Sequence, residues 1–436
     1  MCALFIWSAV SEVLDLGYWK RQRTLNYDIE TYYHYLPSTL IHGDPLDLGY
    51  VAALDSTVLH PGEGQRAHGM SLHPSTGHHV NKCTYGVALM ELPFFLGAHA
   101  ATIAFAPGIA DGYSAPYQLA VSLSAIASTL LGLLLLRVFL RRYTDDRATA
   151  ISLIILAFGT NLFFYSTVDS GMPHSYLFLL FALVLERTDA WHRRPSYRSA
   201  AAIGLAIGAT ALIRPVDVII VCIPLMWPVL VPGSTKRGLI VDNIGMWLLA
   251  GLCALMPLLP QFLYWKTATG DAFYWSYGDE HFNWSDPHLL DGLFSYRKGW
   301  FVYTPLALIG FAGLGLMVAR KGQRAFAWPI ILFFTITLYI TFCWHQWWYG
   351  GSFGCRPLVG SLALLALPMA LLTERIMRVP KAFIAVFALA MLAGIHLNLF
   401  QQRQYVQTII HWDSMSRERY REVWGHANWD GLREFP

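Results

Sequence analysis

The gaps between the hydrophobic stretches of this chain alternate in basic content, and that alternation limits the fold more than any motif does. Apolar runs occur at about 117–140, 149–167, 174–186, 200–213, 216–232, 239–263, 301–319, 327–344, 358–372 and 382–399. One set of gaps is basic: Arg141, Arg142 and Arg147; Arg187, Arg193, Arg194 and Arg198; Lys236 and Arg237; Arg320, Lys321 and Arg324; Arg375, Arg378 and Lys381. The gaps between them hold Arg214, Lys266, Arg297, Lys298 and Arg356 and no other cation. Cytoplasmic loops of membrane proteins keep an excess of Lys and Arg, so parity places the first set inside and the second outside.

Hydrophobic residues are 55% of the 436-residue chain and charged ones 14%, with a mean hydropathy of +0.41. An average soluble domain is about one-quarter charged. Most of this surface is therefore expected to face membrane lipid, in an all-α polytopic protein of about 11 transmembrane helices. The net charge of +3 resides in loop clusters rather than a stripe, which argues against nucleic acid as a partner. The six cysteines show no CxxC spacing, and a disulfide among Cys83, Cys343 and Cys355 could form on the outer side.

Residues 1–17 read as a first transmembrane helix, short of the roughly 20 apolar residues a span requires, carrying Glu12 and Asp15, as though its start were trimmed. Because the 117–140 helix enters from outside, 18–116 is an external first loop. Within it, 84–105 is apolar enough to span, but a crossing there would move 18–83 to the cytoplasm. Parity favours an interfacial or re-entrant helix interrupted at Pro93. Residues 117–399 form the transmembrane bundle, with external loops at 264–300 and 345–357. Residues 400–436 form an external tail with a short helix capped by Asp413 or Ser414.

Candidate chemistry collects on the outer side. The first loop opens with Tyr27-Asp28-Ile29-Glu30-Thr31-Tyr32-Tyr33-His34-Tyr35-Leu36-Pro37, and a carboxylate among tyrosines at a membrane surface can take a proton from a hydroxyl nucleophile. Asp28 is the first choice as general base and Glu30 the second. The plainer alternative is that both carboxylates cap a surface helix while the tyrosines form an interfacial belt. Arg214, Arg297, Lys298 and Arg356, the last in a Gly-rich Gly350–Pro357 segment, can bind a lipid phosphate, although single cations at helix ends also snorkel and Arg214 could pair structurally with Asp217. Trp344, Trp347, Trp348 and Tyr349 suit sugar stacking or belting equally. His60, His68, His73, His78 and His79 match no standard zinc spacing, while a divalent ion held by Asp28 and Glu30 is conceivable.

Together these features resemble the GT-C superfamily of polyprenyl-phosphate-sugar-dependent glycosyltransferases, closest to the branch holding protein O-mannosyltransferases and the lipid A aminoarabinose transferase. Three strings add to the resemblance: Lys82-Cys83-Thr84-Tyr85-Gly86 with Leu92-Pro93-Phe94-Phe95; Phe294 to Phe301 leading to Tyr303-Thr304-Pro305; and Gly350-Gly351-Ser352-Phe353-Gly354-Cys355-Arg356. The resemblance implies a donor made of polyprenyl phosphate carrying one sugar, and an acceptor hydroxyl on a lipid, glycan or protein. It implies a bacterial inner-membrane location with the site facing outward. Asp28 carries over as the catalytic aspartate; Glu30 carries over less directly, because the family's adjacent acidic pair is here split by Ile29. Arg297, Lys298 and Arg356 match the family's phosphate-binding cations in type and setting, Arg214 less so. Tyr32, Tyr33, Lys82, Tyr85, Trp348 and Tyr349 are the expected substrate contacts. A transporter or flippase of lipid-linked saccharide and a non-catalytic membrane subunit are the rival readings. The first is disfavoured by the scarcity of ionisable groups deep in the spans, where His396 is the main one.

Overall fold

The computed structural model describes residues 1–54, 69–231, 233 and 235–432. It is helical apart from one antiparallel hairpin, β1 (Met70–Leu72) and β2 (His79–Asn81), with Ser71 opposite Val80. In chain order the principal helices are α1 (Cys2–Leu16), α2 (Tyr27–Tyr33), α3 (Gly86–Phe105), α4 (Ala115–Leu140), α5 (Asp146–Phe158), α6 (His174–Arg193) and α7 (Tyr197–Ile213). They continue as α8 (Ile244–Thr269), α9 (Ala307–Ala319), α10 (Arg324–Cys343), α11 (Leu362–Ile376), α12 (Lys381–Val406) and α13 (Arg417–Glu422).

Five of these, not about 11, are long and apolar enough to cross a membrane among the described residues: α3, α4, α8, α10 and α12. Three of the other apolar runs are broken by the backbone, whereas α6 is long enough but carries Glu186, Arg187, Asp189 and Arg193, and α7 and α11 are 17 and 15 residues long. The 149–167 run divides at Gly159–Asn161 into α5 and a Leu162–Thr167 helix, and 216–232 becomes a 3-10 segment, Pro215–Val221, and a Cys222–Met226 turn of helix. The 301–319 run is cut near Pro305, a residue without an N–H to continue a helix. The long helices still carry apolar surface that water would not tolerate. On α8, Leu248, Leu252, Leu255, Leu259 and Leu263 are all more than half exposed, as are Phe383, Val386, Leu389 and Leu392 on α12, the stripes of a bundle that faces lipid.

Helix α7 lies close against α8 through small residues. A Cβ on Gly204 would come within 2.1 Å of the Ala250 carbonyl oxygen, and one on Gly208 within 2.1 Å of that of Ala254. This i,i+4 glycine pair lets two backbones touch where apolar burial gives little drive for association in lipid.

The chain's two classes of gap gather at two poles. At the basic pole, Arg142 after α4 meets Glu186 and Asp189 near the end of α6, Lys236 donates to the Trp227 carbonyl at 2.8 Å, and Phe326 packs on Tyr143 and Trp227. At the opposite pole, Arg214 donates to the Pro357 carbonyl at 3.0 Å, and Lys298 to that of Ser352. Helix α3 spans three helix ends at this second pole. Thr84 just before it bonds to Leu212 at the end of α7, Glu91 accepts from Tyr176 near the start of α6 at 3.0 Å, and His99 meets Tyr117 near the start of α4 at 2.7 Å. Pro93 lies inside α3 without interrupting it. All six cysteines are free, so the disulfide considered among Cys83, Cys343 and Cys355 is absent.

Candidate functional site

Helix α2 sets up the site. Its first turn carries Asp28 and Glu30, two residues apart, and that spacing on a helix points them to nearly opposite faces. Asp28 Oδ2 accepts from Arg356 Nη2 at 3.2 Å across 328 residues of sequence, with its side chain half exposed and that of Arg356 mostly covered. Glu30 turns the other way. Fully buried, it lies 3.2 Å from His34 Nε2, and His34 Nδ1 meets the Tyr113 hydroxyl at 2.8 Å. The reading of Glu30 as a second catalytic carboxylate thus meets a residue turned away from Asp28 into the packing of α2.

Arg356 arrives on the Gly350–Arg356 loop. Gly354 adopts φ +63°, and a Cβ there would strike the Tyr303 Cβ at 2.9 Å, so glycine is required for this turn. Phe353 is held by Tyr165, whose hydroxyl accepts from the Phe353 N–H at 3.1 Å. Burial works against the Arg356 charge, but Asp28, Tyr165, Tyr32 and Asp169 outweigh it and its pKa is raised. Among the described residues Asp28 is the hydrogen-bond partner of its guanidinium, which leaves N–H groups available for an anion.

A second carboxylate escaped the sequence analysis. Asp169, in the turn between Thr167 and α6, acts electrostatically on both Asp28 and Arg356. Its carboxyl has no hydrogen-bond partner among the described residues. Burial pushes it up to about 6, Arg356 and Lys298 oppose the rise, and Asp28 adds to it. Asp169 is the sole acid in the 168–173 gap, one of the gaps poor in cations, and that was the signal available.

The remaining cations are committed in different ways. Arg214 pairs with Asp217 at 3.4 Å besides bonding to Pro357, as the structural alternative had it. Arg297 is bound to Asp413 at 2.8 Å and stacks 3.6 Å over the Trp348 ring. Lys298 is buried, donating to the carbonyls of Ser352 and, at 2.5 Å, Trp412. Burial brings its ammonium down to about 7, with Asp413 and Asp169 opposing and Arg356 and Arg297 adding. Asp413 is therefore not a helix cap: α13 begins later, with Ser416 accepting from the Arg419 N–H at 3.1 Å.

The expected substrate contacts divide. Tyr32 is buried beside the ion pair, and burial, reinforced by Cys83, Tyr277 and Asp28, raises its phenol well above the usual range. Lys82 pairs with Glu280 at 2.6 Å over Tyr277, and Tyr277 itself feels Asp28 and Arg214. Tyr349 has φ +57° and donates to the Thr341 carbonyl at 2.9 Å. Trp348 donates to Asp413 at 2.8 Å. Tyr33 and Tyr85 stand apart: Tyr33 donates to the Gly112 carbonyl at 2.6 Å and Tyr85 to that of Pro257, both anchoring the first loop.

A divalent ion at Asp28 and Glu30 is overturned. The two carboxylates face apart, and among the described residues no group of three or more His, Cys, Asp or Glu side chains gathers to hold a metal. His78 pairs with Asp47 and His73 meets Thr76, while His60 and His68 lie outside the described residues. The chain matches no protein-family model, no curated protein and no solved structure.

Proposed function

We propose that this chain is a membrane glycosyltransferase of the GT-C kind, moving one sugar from a polyprenyl-phosphate donor to an acceptor hydroxyl. The pole carrying Asp28 and Arg356 faces outward, because its loops are the ones poor in cations. The helices shorter than a full span complete the roughly 11 crossings, and α3 lies along the outer interface. The observation that carries the reading is the Asp28–Arg356 pair: a half-exposed carboxylate and a guanidinium with N–H groups to offer, drawn together from opposite ends of the chain.

In this reading Arg356 binds the donor phosphate and stabilises the charge that grows on it as the bond to the anomeric carbon breaks. Asp28, with Asp169 beside it, takes the proton of the acceptor hydroxyl, which attacks from the face opposite the phosphate and inverts that centre. Arg297 and Lys298 supply further positive charge beside Arg356. The sequence supports the absence of a nucleotide step, since no GxGxxG or P-loop string is present. Membranes containing the chain are expected to transfer label from a polyprenyl-phosphate sugar, and Asp28→Asn to lower that transfer by roughly 10²- to 10⁴-fold. A variant that retained near-normal transfer would remove Asp28 from the chemistry; label crossing the bilayer without any new glycosidic bond would favour a flippase instead.

A further inference from the structure

The C-terminal tail has no task in the reaction just described, yet it occupies two of the site's cations. The Asp413 carboxylate accepts from Arg297 Nη2, Trp348 Nε1 and the Ser414 hydroxyl, each at 2.8 Å, and the Asp413 carbonyl accepts from Arg297 Nε at 3.1 Å. Lys298 gives one hydrogen bond to the Trp412 carbonyl and one to Ser352 of the arginine-bearing loop. The Trp412 ring rests over Gly351 of that same loop, with 56% of its surface exposed. Hydrogen bonds from Arg297, Ser414 and Trp348 overcome burial and hold the Asp413 carboxyl below its ordinary range, so it is a full anion at neutral pH.

A carboxylate and two carbonyl oxygens set against a guanidinium and an ammonium reproduce what a phosphate's oxygens would offer the same cations. The turn that supplies them is short and pinned on both sides. Ile409 and Ile410 are buried before it and Met415 after it, and beyond that Gln404 Nε2 holds the carbonyls of Val423 and His426 at 2.8 Å. Residues 411–414 can therefore let go of the cations while the rest of the tail stays docked.

We infer that the 411–414 turn is an internal stand-in for an anionic ligand, covering a second anion site at Arg297 and Lys298 that a phosphate-bearing molecule uncovers by displacing Asp413. The inference rests on the reading of this pole as a phosphate site, and it adds to it a site beside Arg356 that opens when ligand arrives. A lipid head group and a free phosphate share the chemistry required.

The test uses the full chain in nanodiscs, with farnesyl phosphate, farnesol and inorganic phosphate as probes, reading affinity and amide exchange of residues 411–414. Farnesyl phosphate is expected to speed exchange in this turn severalfold, farnesol to leave it unchanged, and Asp413→Asn to tighten farnesyl phosphate binding about tenfold, the equivalent of one charge-assisted hydrogen bond no longer to be displaced. Tightening with inorganic phosphate as well identifies the ligand as the anion alone; tightening confined to farnesyl phosphate identifies a lipid head group. Should Asp413→Asn lower the melting temperature, Ser414→Ala, which removes one hydrogen bond from the carboxylate, must show a smaller tightening of the same sign. Bound farnesyl phosphate with exchange at 411–414 unchanged or slowed overturns the stand-in and leaves the phosphate site intact. Failure of the wild-type chain to bind farnesyl phosphate overturns the phosphate site itself, and the stand-in with it.

Discussion

The two ends of helix α6 bury charge in opposite ways. At its C-terminal end Glu186 and Asp189 are wholly inaccessible, and donors surround them: Arg142 bridges both, Arg187 joins Glu186, and Asp189 takes Arg193 at 3.0 Å, Trp227 Nε1 at 3.3 Å and the Tyr143 hydroxyl. At its N-terminal end the groups are fewer and less satisfied. Asp28 has one charged partner and is half exposed, the Asp169 carboxyl has no hydrogen bond among the described residues, and His174 is buried with neither ring nitrogen bonded. A charge network whose members are all paired fixes structure and has nothing left to offer a ligand; one left partly unpaired keeps capacity for a ligand at the expense of stability. The contrast separates a lock from a candidate site within one helix.

Breaking the lock should have the largest effect. Asp189→Ala removes the shared acceptor of Arg142, the partly exposed Arg193 and the buried Trp227 indole N–H, and is expected to lower stability by about 2–3 kcal/mol, read as a fall in melting temperature in detergent. A loss below about 1 kcal/mol would mean the basic pole is no lock.

Asp28→Asn is the counterpart at the other end. Because the carboxylate is half exposed, its ion pair should add no more than about 1 kcal/mol to stability, whereas transfer should fall by roughly 10²- to 10⁴-fold if it is the base. Equal damage to stability and transfer would erase the distinction between the poles.

The pH profile sharpens it. Asp169 adds negative charge beside the base Asp28, favouring proton uptake there, only when ionised, above about 6, and Lys298 holds an anion only when charged, below about 7. Transfer should therefore rise as pH climbs through the first value and fall as it passes the second. Lys298→Arg, which stays charged, should remove the alkaline limb; an unmoved limb would take Lys298 out of the site. Smallest of all, Lys82→Gln breaks a partly exposed pair with Glu280 and should change stability by less than about 1 kcal/mol, measurable against the same unfolding transition.

Much of the site was legible because of where charges fall along the chain. Arg356, Arg297 and Lys298 stand out when gaps are sorted on basic content, Asp28 by the tyrosines around it, and the structure gathers them at one pole. Asp169 sat in the same class of gap but is one acid in a short turn, with no motif to mark it. Glu30 looked like a partner for Asp28 because they are near in sequence, and it faces the wrong way because a helix turns about 100° per residue. Asp413 read as a helix cap, since nothing in its neighbourhood reveals that Arg297, 116 residues earlier, lies beside it.

The amino-acid sequence by itself determined that the chain is helical and apolar and that its cations divide into two classes, because hydrophobic runs and basic clusters are local properties written along the backbone. Span length was less accessible: hydropathy counts side chains, while Gly159, Pro305 and the 3-10 segment after Arg214 break the backbone beneath them. Pairing was decided by the tertiary structure alone. Whether a carboxylate meets Arg356, a buried histidine or a ring of donors depends on which helix ends are brought together, and contacts across 328 residues leave no trace in the spacing of either partner.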